Sequence, residues 1–287
     1  MLSRKPNSRH NLDMAIYRLA GSDAAFVRLR TILANTIIAQ MMPEGAVKGG
    51  SSLKMRFGDL STRFTNDLDT ARKSDLKSFV SEFADNLSEG WNGFTGRIVR
   101  REPATPKGVP AEYIMQPYDV KLDYCGRPWC TINLEIGHNE IGDADNPEYG
   151  IAQDITNIFE ELALPVPAPI PLMPLHHQIA QKLHALSTPG CSRAHDLIDL
   201  QIITILGDID WEKTSDTCVR LFSYRNGQAW PPTIEKGEGW DSLYRSQAAG
   251  LEVIPDVDDA IVWVNELIAR LSEQSAEAHT KSPQEPC

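Results

Sequence analysis

Five prolines stand at every second or third position in Pro165–Pro174, PVPAPIPLMP. Each removes a backbone N–H and fixes its own φ, so neither a helix nor a central strand is expected there. The segment reads as a connector, and the hydrophobic pattern changes across it. Upstream, short alternating runs mix with helical periodicity; downstream, helical spacing alone remains. The chain is therefore expected to be α/β (α+β) and bilobed, a sheet flanked by helices followed by a helical lobe. The expected boundaries are 1–164 for the first domain, 165–175 for the connector, 176–275 for the helical lobe and 276–287 for a disordered tail.

Within the first domain, Asp23 to Met42 has helical apolar spacing and is stopped by Pro43, Glu44 and Gly45. Ala46-Val47 followed by Lys48-Gly49-Gly50-Ser51-Ser52-Leu53 reads as strand, tight turn and helix start. Thr65 to Thr70 reads as a strand. Ser74 is the expected cap of a helix carrying Leu76, Phe79, Val80, Phe83 and Leu87 on one face. Val120, Leu122 and Tyr124, then Cys130, Ile132, Leu134 and Ile136, alternate with polar residues about a Cys125-Gly126-Arg127-Pro128 turn, the pattern of a hairpin. Residues 137–150 read as a polar loop. Helices are expected over 177–187, 193–206, 215–224 and 256–271.

The formal charge of −11 argues against nucleic acid as a partner, but its distribution reverses the argument. Residues 1–127 carry 19 Lys/Arg against 14 Asp/Glu, whereas residues 128–287 carry 9 against 25. An anionic substrate would be met by the first half. No apolar run reaches membrane-spanning length and the first residues lack a signal-peptide pattern, so a cytoplasmic protein without a membrane partner is expected. The five scattered cysteines suggest reduced thiols rather than a disulfide framework.

Chemistry concentrates at Asp67-Leu68-Asp69. Residues two apart on a strand share a face, so both carboxylates enter one site while Leu68 enters the core. Hard oxygen ligands of this kind suit Mg2+, or Mn2+, together with substrate phosphates. Upstream, Lys48, Gly50, Ser51 and Ser52 open a helix whose N–H groups and hydroxyls suit a phosphate. Glu135, between Leu134 and Ile136, offers a third carboxylate for metal. Further along, Lys182 sits beside the apolar stripe of Ile179, Leu183 and Leu186, placed either to snorkel to solvent or to face an interlobe cleft. Arg193, Asp196 and Asp199 recur at spacing three on the next helix, as either a surface ion pair or part of that cleft. Thr65, read on the carboxylates' strand face, is a candidate regulatory phosphosite, because a phosphate there adds negative charge beside the metal site.

Four motifs in order, Lys48-Gly49-Gly50-Ser51-Ser52-Leu53, Arg63-Phe64-Thr65-Asn66-Asp67-Leu68-Asp69, Ile179-Ala180-Gln181-Lys182-Leu183-His184-Ala185 and Arg193-Ala194-His195-Asp196-Leu197-Ile198-Asp199-Leu200, resemble those of the AbiEii/MenT nucleotidyltransferase toxins. The resemblance runs from about residue 25 to 270 and takes in Trp230-Pro231-Pro232. It implies a DNA polymerase β-like nucleotidyltransferase domain with a helical lobe, and the toxin of a type IV toxin–antitoxin pair with a cognate antitoxin. It also implies a metal-dependent transfer of a nucleotide, often a pyrimidine, from NTP to the 3′ end of tRNA, which blocks aminoacylation and growth. Carried onto this chain, Asp67, Asp69, Lys182 and Asp199 would be catalytic. Asp67, Asp69 and Glu135 would hold metal, and Lys48, Gly50, Ser51, Ser52, Lys182 and Asp196 would meet the nucleotide. Arg72, Lys73, Lys77, Arg97, Arg100 and Arg101 are candidates to follow an RNA backbone. The alternatives are a transferase acting on a protein or small-molecule hydroxyl, and a non-catalytic module that binds nucleotide or RNA.

Overall fold

The structure is a computed structural model describing residues 4–103 and 114–281. It divides into two compact units. The first comprises Met1–Leu60 with Phe64–Met173, the second Ser61–Arg63 with Pro174–Cys287. Pro-rich segment 165–174 thus ends at a unit boundary, and a three-residue stretch just upstream of the Asp pair belongs to the second unit.

The first unit runs α1 (Arg9–Ala20), α2 (Asp23–Gln40), β1 (Gly45–Lys48), α3 (Gly49–Phe57), β2 (Asp67–Arg72), α4 (Leu76–Glu89), β3 (Phe94–Arg100), β4 (Gln116–Tyr124), β5 (Arg127–Gly137), β6 (Glu148–Gly150), α5 (Gln153–Glu161) and β7 (Ile170–Leu172). Its strands form one mixed sheet in the order β3-β4-β5-β2-β1-β7-β6. β2 is antiparallel to β1 and parallel to β5. The β4–β5 hairpin turns at Cys125 and Gly126, both at positive φ. Its apolar face, with Tyr118, Val120, Leu122, Ile132, Leu134 and Ile136, joins Leu68 in a core packed by Leu12, Leu33, Ile37, Phe79 and Phe83 from the helices. Alternation then presents the intervening residues of β2, β4 and β5 on the other face.

Several local expectations change. The α4 cap is Asp75 rather than Ser74: its carboxylate accepts from the N–H groups of Lys77 (3.0 Å) and Ser78 (3.1 Å). A carboxylate at that position also complements the helix dipole. β2 begins at Asp67, so Thr65 lies in the segment before the strand and the strand-face argument for it does not hold. The 137–150 loop ends in β6. Proline-rich Ile170–Leu172 forms β7, an interior strand between β1 and β6. A three-residue strand accepts Pro171 because alternate residues address alternate neighbours: the Met173 N–H donates to the Val47 carbonyl at 2.8 Å, and Ile170 and Leu172 are buried.

The second unit contains α6 (Leu175–Leu186), α7 (His195–Leu206), α8 (Trp211–Arg225), α9 (Trp240–Ala248) and α10 (Val257–Lys281). Ile179, Leu183, Leu197, Leu200, Leu221, Trp240, Val264 and Leu267 are buried. Gln201 binds α9 and the following loop together: its amide donates to the Tyr244 hydroxyl at 2.9 Å and accepts from the Ile254 N–H at 2.7 Å. Of the segment 276–287, expected to be disordered, residues 276–281 continue α10 and the remainder lies outside the described residues. Among the described residues, no helix is long and apolar enough to cross a membrane.

Candidate active site

The register of the sheet assembles a polar row on the face opposite the core. Lys48 pairs with Asp69, Asp69 with Glu135, and Asp67 with Asn133. Directly paired residues share a face, so Lys48, Asp67, Asp69, Asn133 and Glu135 project together while Leu68 and Leu134 are fully buried beneath them. Asp67, Asn133 and Glu135 are exposed, and Asp69 and Lys48 are half-buried. Partial burial, and then the charges of Asp69 and Asp67, push the Glu135 carboxyl above its ordinary range against the opposing pull of Lys48 and Arg101. Like charges held this close call for a cation.

α3 brings a phosphate-binding element against this row. Gly49, its first residue, has φ +65°, and a Cβ there would come within 2.4 Å of the Asp69 Oδ2. Glycine suits this approach because the backbone is left-handed there and a side chain would displace the Asp69 carboxylate. Lys48 caps α3 without a side-chain hydrogen bond of its own. Lys48 extends its ammonium across the row, and a Cβ at Gly137 would lie 3.0 Å from its Nζ. The serines differ from the expected phosphate contacts. Ser51 and Ser52 are buried, and the Ser51 hydroxyl donates to the Asp67 carbonyl (2.5 Å) while accepting from Asn35 (3.2 Å). As placed, Ser51 fastens α3 to the first residue of β2.

The donor set fits a divalent cation of the hard class. Asp67 and Asp69 supply two carboxylates on one strand face, and Mg2+ takes the rest of its shell from water and substrate phosphates. Among the described residues, no group of three or more His, Cys, Asp or Glu side chains is gathered so as to hold an ion. Asp67 and Asp69, with Glu135 paired beside Asp69, are the residues that would hold such an ion.

Strand alternation also sorts the basic residues. Arg97 pairs with Lys121 and Lys121 with Thr131, so both cations share the carboxylate face. Arg101, just past β3, reaches Asn133 on that face at 3.2 Å. Arg100 pairs with Tyr118, and Arg72 follows Leu68 and Thr70, which puts both on the core side of the sheet's edges. Lys77 stands on α4, whose Phe79 and Phe83 pack in the core. Of the six basic residues expected to follow RNA, Arg97 and Arg101 share the carboxylates' face and Lys121 joins them, whereas Lys73, just past β2, pairs with Glu44 at 3.5 Å. Period-two alternation in β4 carried that signal.

In the second unit, Lys182 neither snorkels nor stands at a surface. Its Nζ lies 2.8 Å from Asp196 Oδ1 and 2.6 Å from Asp199 Oδ2, with both aspartates buried. Arg63 grips Asp199 with two nitrogens, at 2.8 and 2.9 Å, and Arg193 holds Asp196 at 2.6 Å. The Arg193–Asp196–Asp199 spacing therefore marks a buried cluster rather than a surface pair. Burial alone would raise both aspartates, but Lys182, with Arg193 for Asp196 and Arg63 for Asp199, outweighs it and holds them below the ordinary carboxylate range. Burial lowers the neighbouring His195 to about 4 despite the nearby Asp196 charge. Arg63 had no role assigned from sequence, since its partner lies more than a hundred positions away.

Comparison with known proteins follows the geometry. No match is found among curated proteins. Among solved structures, the nucleotidyltransferase toxin MenT4 of Mycobacterium tuberculosis superposes with a TM-score of 0.55 at 16% identity, covering 92% of this chain and 98% of that one. That likeness establishes the fold. The Helicobacter pylori protein JHP933 gives a TM-score of 0.42 at 15% identity, covering 90% of this chain and 97% of that one. The family model for the nucleotidyl transferase AbiEii toxin of type IV toxin–antitoxin systems matches residues 31–263, a span holding both the carboxylate row and the buried cluster. With the mixed sheet, the paired aspartates and the glycine-opened helix already in place, the chain belongs to the AbiEii family and is a nucleotidyltransferase toxin.

Proposed function

We propose that this toxin transfers a nucleoside monophosphate, a pyrimidine by preference, from NTP to the 3′ end of tRNA, releasing pyrophosphate and blocking aminoacylation. The carrying observation is the close approach of Gly49 to Asp69 Oδ2, which sets the start of α3 beside the carboxylate pair. In this reading the α3 N–H groups and Lys48 receive the triphosphate. Asp67 and Asp69 would hold Mg2+ or Mn2+, which when bound would supply positive charge to offset that of the triphosphate. The acceptor hydroxyl gives up its proton to solvent as its oxygen attacks the α-phosphorus in line, the new P–O bond forms, and pyrophosphate departs with the electron pair of the broken one. Negative charge grows on the phosphoryl oxygens during this exchange, so a cationic, preorganised surface stabilises the transition state more than the ground state. Arg97, Lys121 and Arg101 give an RNA backbone a positive track on the same face. The cognate antitoxin is the partner that family membership implies.

The family resemblance also gives Lys182 to the triphosphate and Asp199 to the completed site. Lys182→Met separates the possibilities. A triphosphate contact raises KM for NTP in a folded protein, whereas a purely structural role lowers stability and leaves KM unchanged. For the acceptor, the purified protein is incubated with total tRNA, Mg2+ and each labelled NTP in turn. Label entering tRNA from CTP or UTP is the expected outcome. Label entering protein instead, with none in RNA, moves the reading to a protein hydroxyl acceptor.

A further inference from the structure

Asp67 is the first residue of β2 and is exposed, so packing does not fix its rotamer. A carboxylate that must present one oxygen to an ion needs another constraint. The parallel pairing of β2 with β5 sets Asn133 directly beside it. The Asn133 Nδ2 donates to Asp67 Oδ1 at 3.3 Å, and the Asn133 Oδ1 accepts from Arg101 Nη1 at 3.2 Å. Arg101 is itself held: its backbone N–H donates to the Pro117 carbonyl at 3.0 Å, and its guanidinium lies 3.6 Å from Asp119 Oδ1.

The two neighbours of Asn133 decide which way its amide points. A guanidinium has no acceptor and an ionised carboxylate has no donor, so the reversed amide would lose both bonds. The Nδ2 therefore faces Asp67 on chemical grounds. We infer that Asn133, oriented by Arg101, is a positioning residue that ties down Asp67 Oδ1 and leaves Oδ2 to the metal ion. Outer hydrogen bonds of this kind orient ligating groups, and losing them typically costs about 10- to 100-fold in metal affinity or activity. The sequence concealed the role because Asn133 reads as an ordinary polar residue on an exposed strand face.

The inference rests on the reading of Asp67 as a metal ligand, and metal binding can be measured without turnover. Mn2+ is titrated into the full-length protein and the free ion followed by electron paramagnetic resonance, for wild type, Asp67→Ala, Asn133→Ala and Arg101→Ala. Thermal melts accompany each variant. Wild type is expected to bind and Asp67→Ala to lose the site. Asn133→Ala should bind about tenfold more weakly at an unchanged melting temperature. Arg101→Ala should also weaken binding, although removing a positive charge next to carboxylates would by simple electrostatics strengthen it. Wild-type affinity in Asn133→Ala overturns the inference alone, and tighter binding in Arg101→Ala removes Arg101 from it. Absence of an Asp67-dependent Mn2+ site in the wild type overturns the metal-ligand reading and the inference with it.

Discussion

The molecule carries two charge constellations built on opposite terms. On the sheet, Asp67, Asp69 and Glu135 stand on one face with Asp67 and Glu135 exposed. In the helical unit, Lys182, Arg63 and Arg193 enclose Asp196 and Asp199 with the carboxylates buried. The first set is partly open to solvent and shares its face with Lys48. The second is satisfied internally, and Ser61–Arg63, sequence neighbours of the Asp pair, fold with it. The contrast teaches that acidic residues in family motifs can sit in unlike surroundings, one set on an open sheet face and the other buried among cations, so that substitutions in the two should be felt differently.

Breaking the buried set should have the largest effect. Asp199→Ala leaves Lys182 and Arg63 without their shared carboxylate, and the loss expected is about 3–5 kcal/mol. Urea denaturation of the full chain measures it, and a midpoint equal to wild type would dissolve the distinction drawn here. Gly49→Ala comes next, because it sets a Cβ against Asp69 at φ +65°. It should cost about 1–3 kcal/mol of stability from the strained backbone, and transfer activity as well, since the Asp69 carboxylate must shift. A Gly49→Ala protein with wild-type melting and turnover would contradict the close approach.

Acid exposes the buried set a second way. His195, held at about 4 against an ordinary 6.5, binds a proton on unfolding between those values. Stability therefore falls as pH drops from 6.5 towards 4, and this loss is complete below about 4. Asp196 and Asp199, held below the ordinary carboxylate range, keep their contribution until pH falls further. Melting temperatures across pH 7 to 4 should decline in wild type and decline less in His195→Gln. Equal slopes would show that His195 does not carry the effect. The smallest change is expected on the sheet: Asp67→Asn should alter stability by no more than about 0.5 kcal/mol, because it removes an exposed like charge and no buried contact. A larger destabilisation would mean that the row is structural after all.

Much of this arrangement was legible in the sequence. Alternation about Leu68 placed Asp67 and Asp69 on one polar face, which the register then extended to Glu135, and apolar spacing located α2, α4, α6, α7 and α8. What escaped depended on distant partners or weak local signals. α9 buries only Trp240 and Tyr244, too few to show a periodicity. β7 was hidden by prolines that a three-residue strand tolerates. The burial of Lys182 needed carboxylates 14 and 17 positions away, and that of Arg63 a partner 136 positions away. Arg72 and Arg100 looked equivalent to Arg97 until the register assigned their faces.

The central claim is that nucleotidyl transfer is performed at the exposed carboxylate pair. Its most direct test is single-turnover transfer of labelled nucleotide to tRNA by Asp67→Ala, with the melting temperature measured on the same preparation. The account predicts a rate lowered on the order of 10³-fold or more with melting unchanged. Transfer at the wild-type rate by a folded Asp67→Ala protein would contradict it.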